Sequence, residues 1–196
     1  MQDHFNKHFD YGSFLPSFLI VIGIYTIFLF VKEDFEVGFF FMIIGFLLYV
    51  INNVLINVKG FTTVFNEYLE DMSALIAFGL TTIIFGIIFF QEDLFTLALV
   101  FFYGVCIILG LARNWIVRLK NSMGWPLPLT GLFFPFLYYI YSIYLQNHGQ
   151  SIFLIYFILV GILSISKHNF LGYDETKEKF RVVDERYLEK KKLKNL

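Results

Sequence analysis

Six polar residues stand where one apolar segment of the chain ends and the next one begins. The first segment ends in asparagines and the second opens with acidic residues: Asn52, Asn53, Asn57, Glu67, Glu70 and Asp71. Such side chains are costly next to lipid, so these positions are candidates for a functional site. Carboxylates are also the ligands that hard cations such as Mg²⁺ prefer. The spacing predicts that two neighbouring helix ends bring these residues into one polar cluster.

The elements that must position this cluster are long apolar runs. The chain is 58% hydrophobic and 21% aromatic, whereas soluble domains are about 45 to 50% apolar. Most of the runs approach the roughly 20 residues that cross a bilayer as a helix. They lie at about 14–31, 37–58, 72–90, 94–112, 127–145 and 151–166. The sequence therefore predicts an all-α membrane protein, with six transmembrane helices in residues 1–166 and a charged tail in 167–196.

The basic residues indicate how these helices are oriented. If the first helix starts on the cytoplasmic side, every Lys and Arg except Lys32 falls on that side of the membrane. The positive-inside rule then places both termini in the cytoplasm or its equivalent. We expect a multi-pass protein of a bacterial or archaeal plasma membrane, or of an organelle inner membrane. No pattern predicts binding to nucleic acid, and the single cysteine, Cys106, excludes an internal disulfide.

Three short stretches indicate a family. They are AFGL at residues 77–80, GLARNW at 110–115 and GWPLP at 124–128. Together with the six helices, they resemble the CDP-alcohol phosphatidyltransferases, and within them the phosphatidylserine synthase branch. That family carries the signature D-x2-D-G-x2-A-R-x8-G-x3-D-x3-D, which runs from the end of the second helix into the third. The resemblance covers about residues 37–140.

The resemblance also assigns site positions, although most of the family's catalytic aspartates are replaced. With AFGL aligned, the four metal-binding and catalytic aspartates fall on Tyr49, Asn52, Glu70 and Ala74. Only Glu70 keeps a carboxylate and remains a candidate metal ligand. The signature's glycines and arginine become Asn53, Asn66 and Asn57.

Another register is possible for the last two aspartates. Glu67 and Asp71 have the same four-residue spacing and would share one helix face. This register requires three fewer residues in the connecting loop and loses the AFGL match.

The resemblance implies that Mg or Mn would hold the pyrophosphate of CDP-diacylglycerol while an aspartate activates an alcohol. Three of the four carboxylates are missing, so we expect a catalytically impaired relative with no cofactor, or with Mg or Mn if the family chemistry survives. Asn53, Asn57 and Arg113 could contact a lipid or nucleotide phosphate. The expected partners are the lipid bilayer, CDP-diacylglycerol or another phospholipid headgroup, and a second copy or other subunits of a membrane complex.

Simpler interpretations of the same residues remain open. Acidic residues favour a helix N-terminus because of its dipole, and asparagines within a membrane can link helices by hydrogen bonds. Arg113 could serve topology alone. The alternative function is therefore a non-catalytic structural subunit of a larger membrane complex. A transporter or channel fits less well, because paired intramembrane charges and broken helices are missing from the pattern.

Overall fold

The chain folds into helices throughout the part that the structure describes. The computed structural model describes residues 11–59, 64–91, 93–116, 126–144 and 150–166, and this part contains no strand. The prediction of an all-α fold is therefore confirmed for these residues.

The helices follow one another in chain order with short connections. Their bounds are α1 Tyr11–Val31, α2 Phe35–Lys59, α3 Val64–Ala74, a π-helix at Leu75–Leu80 (π1), α4 Thr81–Phe89, α5 Leu94–Ile116, α6 Leu127–Tyr144 and α7 Gln150–Ile165. Since α3, π1 and α4 continue without a break, they form one long segment, here called the third span. The described part of the chain thus contains six continuous helical segments, which correspond to the six apolar runs of the sequence.

Four of these helical segments are long and apolar enough to cross a membrane: Ser13–Val31, Phe35–Leu55, Tyr68–Phe89 and Leu94–Arg113. The two remaining apolar helices, Leu127–Ile143 and Ser151–Ile165, are shorter. Large apolar side chains also point outward from the bundle, such as Phe14, which is 68% exposed, and Phe95, which is 67% exposed. Extensive exposed apolar surface of this kind marks a membrane or protein interface.

The third span is the central element of the bundle. Helix α1 packs along α2 and along all three parts of the third span, whereas α6 packs against α2 and π1. On the other side, α5 packs against α4 and makes an extensive contact with α7. The polar start of the third span is therefore enclosed by α1, and its apolar end lies among aromatic side chains.

Those aromatic side chains surround Phe85, which is fully buried. Seven other rings have their centroids between 5.0 and 6.0 Å from that of Phe85. They come from α1, α2, α4, α6 and α7: Phe30, Phe35, Phe39, Phe89, Phe134, Tyr138 and Phe153. Edge-to-face and tilted pairs at such separations are favourable beyond the area they bury. The Phe85 ring cluster therefore joins five helices at one end of the bundle.

The π-helix sits in the middle of the third span, and two threonines follow it directly. Thr81 Oγ1 donates a hydrogen bond to the Ala77 carbonyl and Thr82 Oγ1 to the Phe78 carbonyl, both at 2.7 Å. Where a helix departs from regular hydrogen bonding within an apolar environment, Ser and Thr side chains can satisfy carbonyls. The two threonines thus supply donors to π1 where it passes into α4.

A glycine lets α1 approach π1 closely. A Cβ atom placed on Gly23 would lie 2.7 Å from the Ala77 Cα and 2.9 Å from the Ala77 backbone nitrogen. Separations below 3.0 Å are not tolerated without a backbone shift. Small residues allow this kind of backbone contact between membrane helices. Gly23 is therefore required for the observed packing of α1 on π1.

Two capping motifs lie at the end of the bundle that holds the Phe85 ring cluster, one after α1 and one before α5. Glu33, with φ 62°, follows α1 in a left-handed conformation, and the amides of Glu33 and Asp34 bond the carbonyls of Phe30 and Leu29. This is a Schellman motif with glutamate where glycine is usual. Before α5, the Asp93 carboxylate accepts hydrogen bonds from the Phe95 amide and the Thr96 hydroxyl. The bond from Thr96 holds the pKa of the Asp93 carboxyl below its usual value.

Candidate functional site

The predicted polar cluster forms between the end of α2 and the start of α3. Tyr49 and Asn53 are one turn apart on α2, so they share a helix face. The Tyr49 hydroxyl lies near the Asn53 side chain and near the Glu70 carboxylate on α3. The charge of Asp71 also acts on this hydroxyl. Tyr49, Asn53, Glu70 and Asp71 are therefore brought together, and we call them the α2–α3 cluster.

Asn52 precedes Asn53 and is almost completely buried, with 3% of its surface exposed. Its Nδ2 atom makes no hydrogen bond to any residue that the structure describes. A buried donor without an acceptor costs about 1 to 3 kcal/mol. The Asn52 side chain thus faces the protein interior. Its unsatisfied amide could donate to an oxygen of a ligand or of water.

Ala74, which the sequence alignment predicted at the fourth position of the family motif, lies one turn after Glu70. It is 5% exposed and belongs to the apolar core, against which Tyr49 and Leu75 also pack. A methyl group can neither bind a cation nor accept a proton. The Ala74 side chain therefore cannot act as a metal ligand or as a general base. Glu70 is thus the one carboxylate among the four positions of the register set by AFGL.

A metal site is a further question. Within the described ranges, no group of three His, Cys, Asp or Glu side chains is arranged to hold a metal ion. The side chains of Glu67 and Asn57 lie outside the described part, although the backbone at both positions is helical. The alternative register with Glu67 and Asp71, and the phosphate contact expected of Asn57, therefore stay predictions. The oxygen-bearing groups that do meet are a phenol, an amide and two carboxylates.

Helix α1 supports the cluster from the side. It packs on both α2 and α3, whereas these two helices make little direct contact with each other. The hydroxyl of Ser13 on α1 donates a buried hydrogen bond of 2.6 Å to Asn66 Oδ1 on α3. Asn66, which stands at a glycine of the family signature, thus has a structural partner. The α2–α3 cluster therefore lies between the ends of two helices that make little contact with each other, and α1 packs against both of them.

Arg113 lies elsewhere in the bundle and caps α7. One of its terminal nitrogens, Nη1, donates to the carbonyls of Ile165 and Ser166 at 2.6 and 2.8 Å. The other, Nη2, lies 3.5 Å from the Ser164 carbonyl. The last carbonyls of a helix have no partner within it, and a cation there also favours the helix dipole. Arg113 therefore joins α5 to the end of α7, and its expected phosphate contact stays a prediction.

Replacing Arg113 by alanine is expected to lower the free energy of unfolding by about 2 kcal/mol, since charge-assisted hydrogen bonds to these carbonyls are lost. Arg113→Lys keeps the charge but not the fork of donors, so its effect should be intermediate. Thermal unfolding in detergent would measure both, with Lys32→Ala as a control cation at the other end of the bundle. Equal stability of the alanine variant and the native protein would contradict the capping role.

A second polar group was not predicted from the sequence. Tyr103, Tyr156, Thr82 and Thr130 are buried in the core, on four different helices. The sequence contains 12 tyrosines and 27 phenylalanines, and against this aromatic background two tyrosines within spans carry no signal. A hydroxyl in the middle of an apolar run is the one feature that could have marked them.

Comparison with known proteins adds no relative to this description. The chain matches no protein-family model, and it has no significant match among curated proteins.

Proposed function

We propose that this chain is an integral membrane protein with six crossings and cytoplasmic termini that resembles the phosphatidylserine synthase branch of the CDP-alcohol phosphatidyltransferases. In this proposal it binds a phospholipid or CDP-lipid headgroup at the α2–α3 cluster. It transfers the phosphatidyl group poorly or not at all. The supporting observation is that Tyr49 and Glu70, which the resemblance aligns with two positions of the family's catalytic motif, come from separate helices and lie near each other.

The chemistry of the site supports the impairment. A phosphatidyl transfer needs divalent cations to hold the pyrophosphate and a base to activate the alcohol. Tyr49 offers a neutral phenol, Asn52 a neutral amide and Ala74 only a methyl group. The loss of a general base alone removes about 10² to 10⁴-fold in rate. Glu70 is insufficient to replace both functions.

The remaining groups are better suited to binding than to catalysis. The buried amide of Asn52 can donate to an ester or phosphate oxygen, and Glu70 can accept from an amine or hydroxyl group of a headgroup. Since α2 and α3 make little direct contact with each other, the proposal has the headgroup enter from the membrane surface between the two helix ends. These features support recognition of a polar headgroup carried by an apolar lipid.

The catalytic part of the proposal is tested with purified protein in lipid nanodiscs. CMP release would be followed with CDP-diacylglycerol, serine and either Mn²⁺ or Mg²⁺, alongside Glu70→Ala. The expected result is no metal-dependent release above that of empty nanodiscs. Metal-dependent release that disappears in Glu70→Ala would show an active transferase and overturn the impairment.

The binding part is tested by thermal unfolding with added CDP-diacylglycerol or phosphatidylserine. Either lipid should raise the unfolding temperature of the native protein, and the shift should be lost in Glu70→Ala and Asn52→Leu. Glu36→Ala is the matched control, because Glu36 begins α2 at the opposite end of the same helix. If neither lipid has an effect and other membrane proteins co-purify in fixed proportion, the structural-subunit alternative is favoured.

A further inference from the structure

Four helices place hydroxyl groups together within the apolar core, well away from the α2–α3 cluster. Tyr103 comes from α5, Tyr156 from α7, Thr130 from α6 and Thr82 from α4. Tyr103, Thr130 and Thr82 are 0% exposed, and Tyr156 is 7% exposed. The ring centroids of Tyr103 and Tyr156 are 6.3 Å apart. We call these four residues the hydroxyl cluster.

The two phenol groups of this cluster are buried without a hydrogen bond to the residues that the structure describes. Neither the Tyr103 hydroxyl nor the Tyr156 hydroxyl makes a hydrogen bond to another residue in the described part of the chain. Both lie near the Thr130 side chain and near each other, and that of Tyr103 also lies near Thr82. These groups are thus close enough to interact electrostatically without hydrogen-bond geometry. Buried hydroxyls in this situation are strongly unfavourable unless something else satisfies them.

The donor and acceptor properties of the cluster define what could satisfy it. Each tyrosine hydroxyl can donate one hydrogen bond and accept others. Thr82 already donates its hydrogen to the Phe78 carbonyl, so towards the cluster its oxygen can only accept. All four side chains are uncharged in their ordinary protonation states. A suitable occupant is therefore small, neutral, and able both to donate and to accept.

We infer that an ordered water molecule is bound in the hydroxyl cluster and bridges Tyr103 and Tyr156, with Thr130 as a further contact. Buried waters typically make about three hydrogen bonds to polar groups that are otherwise unsatisfied. Polar groups that face each other beyond direct hydrogen-bond geometry are the usual setting for such a water. The inference uses only the core of the bundle and does not depend on the proposed function.

The packing around the cluster gives this water a structural role. The backbones of α6 and α7 come close at few positions, and the two helices meet mainly through rings such as Phe134 and Phe153, whereas α5 packs extensively on α7. A water between Tyr103, Tyr156 and Thr130 would link α6 to the α5–α7 pair by hydrogen bonds. Within an apolar environment, polar links of this kind are one of the ways by which helices associate. The site would thus add hydrogen-bonded links to the ring contacts between α6 and α7.

The test uses infrared spectroscopy of the full-length protein in lipid, comparing samples in H₂¹⁶O and H₂¹⁸O. A buried water gives a narrow O–H stretching band, separate from the broad band of the solvent, and it is this narrow band whose shift with the oxygen isotope is followed. Tyrosine and threonine hydroxyls do not exchange oxygen, so their bands do not shift. We expect an isotope-sensitive band in the native protein that is absent from both Tyr103→Phe and Tyr156→Phe. Tyr25→Phe, in which the altered side chain is 45% exposed, should keep it.

Two results would overturn the inference. One is the absence of an isotope-sensitive band from the native protein, which requires no variant and is therefore independent of folding defects. The other is a band that persists unchanged in both tyrosine variants, which would place the water elsewhere. If one tyrosine variant fails to fold, the other and Thr130→Val provide the comparison. Apart from these spectra, a high-resolution structure in which the Tyr103 and Tyr156 hydroxyls are hydrogen-bonded directly to each other or to Thr130 would also overturn the inference.

Discussion

Replacing Phe85 by alanine is expected to lower the free energy of unfolding by about 3 kcal/mol, the low end of the range for such a truncation. The ring is fully buried and contacts seven others from five helices. If the unfolded helices remain in lipid, little is gained or lost by transferring a ring from lipid to protein. The loss then comes mainly from the cavity and from the broken ring contacts, which is why the low end applies.

Phe101→Ala is the matched control for this prediction. Phe101 lies on α5 and is 58% exposed, so lipid or detergent can fill the space left by its ring. Reversible unfolding in mixed micelles would compare the two variants, and only Phe85→Ala should be strongly destabilised. Similar losses from both substitutions would mean that the Phe85 ring cluster contributes no more than an outward-facing ring.

Replacing Gly23 by alanine should destabilise the protein by about 2 to 3 kcal/mol, as over-packing of a close interface does. The added methyl group would meet the backbone of Ala77 rather than the flexible end of a side chain. Backbone atoms of π1 cannot move without disturbing the hydrogen bonds that Thr81 and Thr82 donate to the Ala77 and Phe78 carbonyls. The strain is therefore expected to reach both α1 and the third span.

Gly45→Ala provides the control for the Gly23 substitution. Gly45 lies on α2 and faces α1, and its nearest neighbour would be the Leu19 Cδ1 atom at 3.2 Å. The end of a leucine side chain can move by a few tenths of an ångström, so the cost should be small. Thermal unfolding of the two variants would measure the difference. A Gly45→Ala variant as unstable as Gly23→Ala would contradict the role assigned to the Ala77 backbone.

The apolar pattern predicted the number and order of the helices, and the third helix begins before its apolar run. The apolar run begins near residue 72, whereas the helix begins at Val64. Asn66, Glu67 and Glu70 interrupt the apolar run without interrupting the helix, because backbone hydrogen bonds do not require apolar side chains. Hydropathy therefore indicated the apolar part of the element and not its polar first turns.

The α2–α3 cluster was predictable because its residues are rare in apolar segments and because two successive helix ends must meet. Asn52 and Glu70 could be recognised from their type, whereas Tyr49 could be recognised only from its position in the family register. The hydroxyl cluster gave no such signal, since its four residues come from four helices and share no spacing. Which side chains meet across a bundle depends on helix rotation, and this is not encoded in any single segment.

The π-helix has a consequence for the relative rotation of the two ends of the third span. A π-turn encloses one more residue per hydrogen-bonded ring than an α-turn, and each residue of an α-helix advances by about 100°. Compared with an uninterrupted α-helix, each extra residue of this kind rotates Phe85 by about 100° relative to Glu70. The π-helix thus sets the direction of Phe85 relative to that of Glu70. In one continuous helix, Glu70 lies near Tyr49 and Phe85 packs among the rings of other helices.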